Sequence, residues 1–312
     1  MLATLAGGVG AARFLNGLVR AVPPSEVVAI VNTADDDEFH GLHISPDLDS
    51  VTYTLAGASN AVQGWGLEGE TFATLDALAR YAVPTWFRLG DKDLATHLYR
   101  TQRLHAGATL SEVTVEITDA WDLELRLLPM TDDRVRTRIT VQRPDGRSVE
   151  LAMQEWFVGE RAESPVVSVR FDGANTSRPG PGVLEALRTA DTIVICPSNP
   201  VISIGPILAV PGIREALVAR RERVIAISPI VGGAPVKGPA DRLMGPLGID
   251  VSCVGVAHEY APICGALVID AVDAHRAAEV EAAGVRAIVT DTMMRSPEIA
   301  TELARRTLGA VA

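Results

Sequence analysis

The fold is decided by LATLAGGVGAARFLNGL, residues 2–18. LATLA (2–6) reads as a strand. Glycines at 7, 8 and 10 follow, and then Phe14, Leu15, Leu18 and Val22 recur at helical spacing. A glycine loop between strand and helix leaves helix-terminal N–H groups open to a ligand, and phosphate is the usual one. A tight turn that only lets the helix pack on the strand would use the same residues. GGVGAA lacks the Lys and Ser/Thr of the GxxxxGK[ST] loop, so the identity of any phosphate must come from the rest of the chain.

Outward from this segment, strand-like and helix-like stretches alternate. VVAIVNT (27–33) is β-branched and unbroken, which suits a strand buried on both faces. The rhythm returns with TIVICPSNP (192–200), a helix around GIREALVARR (212–221), VIAISPIVG (224–232) and LVIDAVD (267–273). A helix over AHRAAEVEAAG (274–284) and RAIVTDT (286–292) complete it, and Ser296 with Pro297 starts a last helix. Such alternation predicts an α/β fold with a Rossmann-like, doubly wound, mainly parallel sheet. The middle differs. Residues 71–119 read as mostly helical, with a capping-box pattern at Thr109 and Glu112. Residues 124–172 hold ELRLLPM, RVRTRITVQ, SVELAMQEW and VVSVRF, with RPDGR as a hairpin turn. The expected organisation is a core of residues 1–70 and 181–312, with 71–180 inserted as a smaller α+β region over the sheet's ligand edge.

Composition excludes several function classes. With 47% apolar and 21% charged residues, the chain of 312 is an ordinary globular protein. No apolar run approaches the roughly 20 residues that span a bilayer, and no basic region precedes the first apolar stretch, so neither a membrane anchor nor a signal peptide is expected. Cys196, Cys253 and Cys264 fit no metal spacing and read as buried thiols in a reducing cytoplasm. A net charge of −11 without a basic stripe excludes nucleic acid as a partner. An acidic protein that binds phosphate needs local donors or a cation, and a divalent metal on carboxylates meets that need.

The polar clusters fall at expected strand ends. NTADDDEFHG (32–41) and SPDLDSV (45–51) bring Asp35, Asp36, Asp37, Asp47 and Asp49 close in sequence, and so many carboxylates repel unless a cation or proton sits among them. Asp36 and Asp37 best fit the role of solvated loop charges. Asp47 and Asp49 face one way if extended, or Asp47 caps the helix that follows. In RLGDKDLATHLYR (88–100), Asp93 and His97 share a helix face, which suits a metal or general base but as a lone feature reads better as a surface pair. PSNPVISIGPI (197–207) offers Ser198, Asn199, Ser203 and Gly205 at a sheet switch point. SPIVGGAPVKGPA (228–240) adds Lys237 as a phosphate cation, and Trp65 sits in a glycine-rich loop where it either stacks on a flat ring or anchors the loop. Together these loops fit a nucleoside diphosphate with a metal.

From GGVGAARFL through NTADDD, SPDLDSV, WGLEGETF, LGDKDLATH, LLPMTDD, QEWFVG, PSNPVISIGPI and SPIVGGAPVKGPA to TDTMM, the chain resembles the 2-phospho-L-lactate transferases of coenzyme F-420 biosynthesis. The resemblance implies a Rossmann-like core, a homodimer, and Mg²⁺ as cofactor. It also implies a reaction in which the terminal ribityl hydroxyl of the deazaflavin Fo attacks a guanosine diphosphate-linked three-carbon acid and GMP leaves. Under it, Asp47 and Asp49 are expected to hold the metal and meet the attacking hydroxyl. Gly7, Gly8, Gly10, Ser198, Asn199, Ser203 and Gly205 are expected on the donor, and Asn32, Thr33, Asp35, Trp65, Asp91 and His97 on the Fo side. The acid itself, lactyl, enolpyruvyl or glyceryl, is not legible. A non-catalytic nucleotide-sugar-binding regulator shares the glycine loop and acidic turn but resembles DDGG-SSG there, where this chain has DDDEFHG. An NAD-dependent oxidoreductase would rest on the glycine loop alone.

Overall fold

The computed structural model describes residues 1–60 and 64–310. Its centre is a seven-stranded sheet of β1 (Leu2–Ala6), β2 (Val27–Val31), β3 (Arg126–Pro129), β4 (Thr192–Ile195), β5 (Val224–Ile227), β6 (Ala266–Asp270) and β7 (Arg286–Thr290). All pairs are parallel and the spatial order is 3-2-1-4-5-6-7. Strand order reverses between β1 and β4, so the crevice beyond their carboxyl ends is where such a sheet takes ligands. The short β1 is well held. It pairs along its length with β2 on one side and β4 on the other.

Apolar side chains fill both faces, which explains the unbroken hydrophobic runs. Ala3, Leu5, Val28 and Ile30 enter one core, while Leu2, Ala6, Val27, Ala29 and Val31 enter the other. The second core is covered by α1 (Gly8–Ala21), α2 (Pro46–Leu55), α4 (Leu110–Ala120) and α5 (Pro297–Gly309), through Phe14, Leu48, Leu110 and Leu303. A further helix, α3 (Asp93–His105), precedes α4. α1 crosses α5 so closely that a Cβ on Gly17 would lie 2.3 Å from the Ala300 carbonyl carbon. The capping box at Thr109 and Glu112 forms, and Ser296 caps α5 through Ile299 N–H.

One strand falls outside its expected place. Arg126–Pro129, from ELRLLPM in the middle stretch, is the edge of the main sheet beside β2, with Val28 opposite Arg126. Leu127 and Leu128 are buried on opposite faces, as a strand of a two-sided sheet requires. The rest of the β-rich middle forms a separate antiparallel sheet, with Arg136–Gln142 between Ser148–Ala152 and Val166–Asp172. It contributes Ile139, Val141, Leu151 and the buried Trp156 to the first core.

Candidate active site

At the β1 end the glycine loop is dictated by close approach. A Cβ on Gly7 would lie 2.7 Å from Ser203 Cβ and 2.9 Å from Asp47 Oδ2; one on Gly10 would lie 2.3 Å from the Pro197 carbonyl oxygen. Gly8 has φ +70°, a left-handed conformation that glycine adopts without penalty. The loop therefore packs tightly and also lines a cleft. Its first N–H groups are engaged within the protein: Gly7 N–H donates to Ser198 Oγ at 3.3 Å, and Gly8 N–H to Asp47 Oδ1 at 2.8 Å. Ser198 Oγ donates back to the Gly7 carbonyl at 2.8 Å.

Asp47 and Asp49 both stand in the first turn of α2, behind Pro46. Two residues apart on a helix, they point different ways. Asp47 turns to Gly8 and to Asn32, whose amide donates to Asp47 Oδ2 at 2.9 Å and to Asp35 Oδ2 at 3.0 Å. Burial pushes the Asp47 carboxyl up to about 6, against the pull of its Asn32 and Gly8 hydrogen bonds. Asp35 is raised well above the carboxylate range by burial and then by the neighbouring Asp47. Its Oδ1 is buried without a hydrogen bond. Asp36, expected in solvent, is buried as well, because the turn folds under the Asp37–Phe39/Leu42–Ile44 hairpin: Ser45 Oγ donates to it at 2.7 Å and His43 Nε2 lies 3.1 Å away.

Asp49 faces the other way, into a buried ionic chain. Both terminal nitrogens of Arg100 donate to its carboxylate, Nη1 at 3.1 Å. His97 Nδ1 lies 3.7 Å from Asp49, and His97 Nε2 lies 3.2 Å from Asp93 Oδ2. Tyr53 OH donates to Asp93 Oδ1 at 2.5 Å. Burial raises the Asp49 carboxyl although Arg100 and His97 oppose it. Burial also pushes Asp93 upward, but its contacts with His97 and Tyr53 and the Arg100 charge together hold it low. Asp93 and His97 are therefore no surface pair. α3 lays this face against α2, and both residues are buried.

These groups surround a cleft of about 650 Å³. Gly7, Gly8, Gly10, Asp35, Asp47, Asp49, Trp65, His97, Ser198, Asn199 and Ser203 all line it. Asn199 spends its side-chain oxygen on Val201 and Ile202 N–H groups, opening the wide helical turn Pro200–Ile204. The others are placed elsewhere. Asn32 and Thr33 are buried beneath the wall, Asn32 as the bridge between Asp35 and Asp47. Gly205 lies against the Phe171 ring, 3.0 Å from where its Cβ would be. Asp91 accepts from Thr71 Oγ1 at 2.5 Å and from Ala73 and Thr74 N–H groups, bonds that hold its carboxyl well below the usual range. It therefore caps the Ala73–Leu78 helix and is not on the cleft wall.

Sequence reading missed the aromatic end of the cleft, formed by Trp86, Phe87, Met153 and Phe157. Phe39 stacks on Phe87 at 4.1 Å and meets Trp86 edge-on at 5.3 Å. PTWFRLG (84–90) was the available signal, an aromatic pair in a loop with no helical or strand period. Arg13, Arg88 and Arg295 also line the cleft, with Lys237. For a cation, two carboxylates that share one amide, Asp35 and Asp47, fit best: an orphaned buried oxygen and mutual repulsion both favour positive charge there. Asp49, Asp93 and His97 bring ligand atoms within 4.8 Å of one another, but Arg100 already neutralises Asp49.

Comparison with known proteins agrees with this architecture. Two crystal structures of a UPF0052-family protein from Bacillus halodurans superpose over 98% of both chains at 19% identity, with TM-scores of 0.62 and 0.63, which establishes a shared fold. Phosphoenolpyruvate transferases from Streptomyces griseus and Thermobifida fusca are 47% and 44% identical to the chain, over 98% and 95% of its length and 97% and 93% of theirs. One from Mycobacterium marinum is 42% identical over 97% of this chain and 96% of its own. The family model for 2-phospho-L-lactate transferase CofD matches residues 2–304. By that match and these identities, the chain belongs to the 2-phospho-L-lactate transferase CofD family.

Proposed function

We propose that the protein transfers a phosphorylated three-carbon acid from a guanosine diphosphate-linked donor to the terminal ribityl hydroxyl of the deazaflavin Fo. GMP leaves, and a form of coenzyme F-420-0 results. The observation that carries this reading is the convergence, at the β1/β4 switch point, of the glycine loop and the Ser198–Ser203 loop with the Asp35–Asp47 pair. The relatives named phosphoenolpyruvate transferase favour the enolpyruvyl donor among the three acids, which makes the product the dehydro form.

Asp47 and Asp35 would hold Mg²⁺, with Asn32 fixing both carboxylates; Asp49, expected as the second ligand, is committed to Arg100. Bound there, Mg²⁺ would neutralise charge on the phosphoryl oxygens. The small residues Gly7, Gly10 and Ser203 let the diphosphate approach the backbone. Asp49, whose carboxyl burial raises, takes the proton of the attacking hydroxyl, while Arg100 and His97 fix its orientation. The hydroxyl oxygen bonds to the phosphorus that carries the acid, the bridging P–O bond breaks, and its electron pair leaves on GMP. Catalysis by positioning and charge neutralisation needs no protein nucleophile. The same family reading makes the protein a cytoplasmic homodimer; no helix among the described residues is long and apolar enough to cross a membrane.

Incubation with Fo, Mg²⁺ and each guanosine-linked donor, followed by mass spectrometry, tests this. A phosphodiester appearing with equimolar GMP from the enolpyruvyl donor is expected. Tight nucleotide binding with no product from any donor would establish a regulator instead.

A further inference from the structure

Resting on the Fo reading above, the geometry points to Trp86 as the platform on which the acceptor's planar ring stacks, held in place by a reciprocal clasp between Glu70 and Asp91. Exposed apolar surface gathered in a groove marks a binding site, and three aromatics stand half-open in this one cleft: Trp65 at 40% exposure, Trp86 at 38% and Phe157 at 36%. Trp86 and Phe157 come from different parts of the chain, yet both border the aromatic end. Trp86 is buttressed from behind by Phe39, edge-on at 5.3 Å, which itself stacks on Phe87. Gly159, two residues after Phe157, packs against the indole, where a Cβ would make ordinary contact at 3.5 Å. A flat, hydrogen-bonding tricycle gains most from such a surface, because it offers a π-face to the indole and polar edges to the adjoining polar wall.

The segment presenting Trp86 has no regular structure, so something must hold it. At one side Asp91 accepts from Thr71 Oγ1, Ala73 N–H and Thr74 N–H, and Asp91 N–H donates to the Thr71 carbonyl at 2.8 Å. In return Glu70 accepts from Lys92 N–H at 2.9 Å and Asp93 N–H at 2.8 Å, capping α3. The fit is close: a Cβ on Gly90 would lie 2.1 Å from the Glu70 carboxyl carbon. Each acid caps the helix that follows the other, closing residues 71–91 into a loop that carries Trp86 and Phe87. Asp91 is thus a positioning residue, acting on the acceptor through Trp86.

The deazaflavin's own fluorescence reads acceptor binding, and GDP calorimetry reads the donor side. With full-length protein, Trp86→Ala is expected to raise the Fo dissociation constant about 10- to 100-fold, the range stacked bases lose on aromatic truncation, with GDP affinity unchanged. Trp86→Phe should recover most of the loss, and Asp91→Asn should weaken Fo several-fold while leaving GDP alone. A general loss of folding would instead weaken both ligands together, which the Phe variant guards against. Wild type that binds Fo while Trp86→Ala binds it equally well, or a loss carried by Trp65→Ala instead, overturns the platform alone. Wild type that does not bind Fo overturns the acceptor reading and this inference with it.

Discussion

At the residue scale, the two aspartates of PDLD do different work although they are two positions apart. Asp47 sits where the Gly8 N–H, the Asn32 amide and Asp35 meet, and burial raises it to about 6. A metal ligand must be ionised, so Mg²⁺ affinity should climb as pH rises through about 6, where Asp47 ionises. It should go on climbing while Asp35, raised well above the carboxylate range, still holds a proton that binding must release. Calorimetry across that range checks this, and Asp47→Asn should abolish the metal-linked heat and lower kcat by at least 10²-fold, an order typical of losing one electrostatic group in a water-poor site. Asp49 depends on Arg100. Replacing Arg100 by Met leaves that carboxylate buried without its cation and should cost about 3–5 kcal/mol in urea unfolding. Pairing Arg100→Met with Asp49→Asn should return a substantial part of it, because the uncompensated charge is then gone.

At the element scale, the glycine loop works through what it lacks. Gly10 faces the Pro197 carbonyl across a gap that no side chain can enter, and backbone cannot swing aside as a side-chain tip can. Gly10→Ala should therefore cost about 1–3 kcal/mol and weaken nucleotide binding as β4's loop is pushed from β1, seen together in thermal unfolding and GDP titration. The N-terminal turns carry a lesser role. Thr109→Ala removes a capping box far from the cleft and should lower stability by about 1 kcal/mol with unchanged kinetics.

At the scale of the whole molecule, a carboxyl whose folded value lies above its unfolded one makes folding favour low pH. The folded protein holds the Asp47 proton between about 4 and about 6 where the unfolded chain has released it, so unfolding free energy falls as pH rises through that window. Without metal, wild type should lose up to about 2–3 kcal/mol relative to Asp47→Asn between pH 4 and 7. Mg²⁺ at pH 7 should restore it in wild type only. Paired denaturant curves of the two proteins, with and without metal, read this contribution together with the relief that losing the Asp47 charge gives Asp35.

Much of the frame was legible because local pattern and tertiary role agree. Two-sided apolar strands, the alternation around them and the caps at Thr109 and Ser296 follow from side-chain chemistry over a few residues, and the structure has them where the pattern put them. By sequence Arg126–Pro129 groups with the β-rich stretch that follows it, because a four-residue strand carries no sign of which sheet it joins; β2's open edge decides that. The site divides the same way. Glycines and carboxylates could be nominated by type, but Asp91's capping role, Gly205's contact with Phe171, and the burial of Asp93 and His97 depend on segments distant in sequence, while Asp36 is covered by the hairpin that follows it. The amino-acid sequence by itself determined a doubly wound sheet and the loops at its ligand edge, since both rest on short-range periodicity and turn chemistry. Only the tertiary structure decided which carboxylates meet each other, which meet an arginine, and which aromatics stand open to the cleft, because charge pairing and exposure are set by what packs across space.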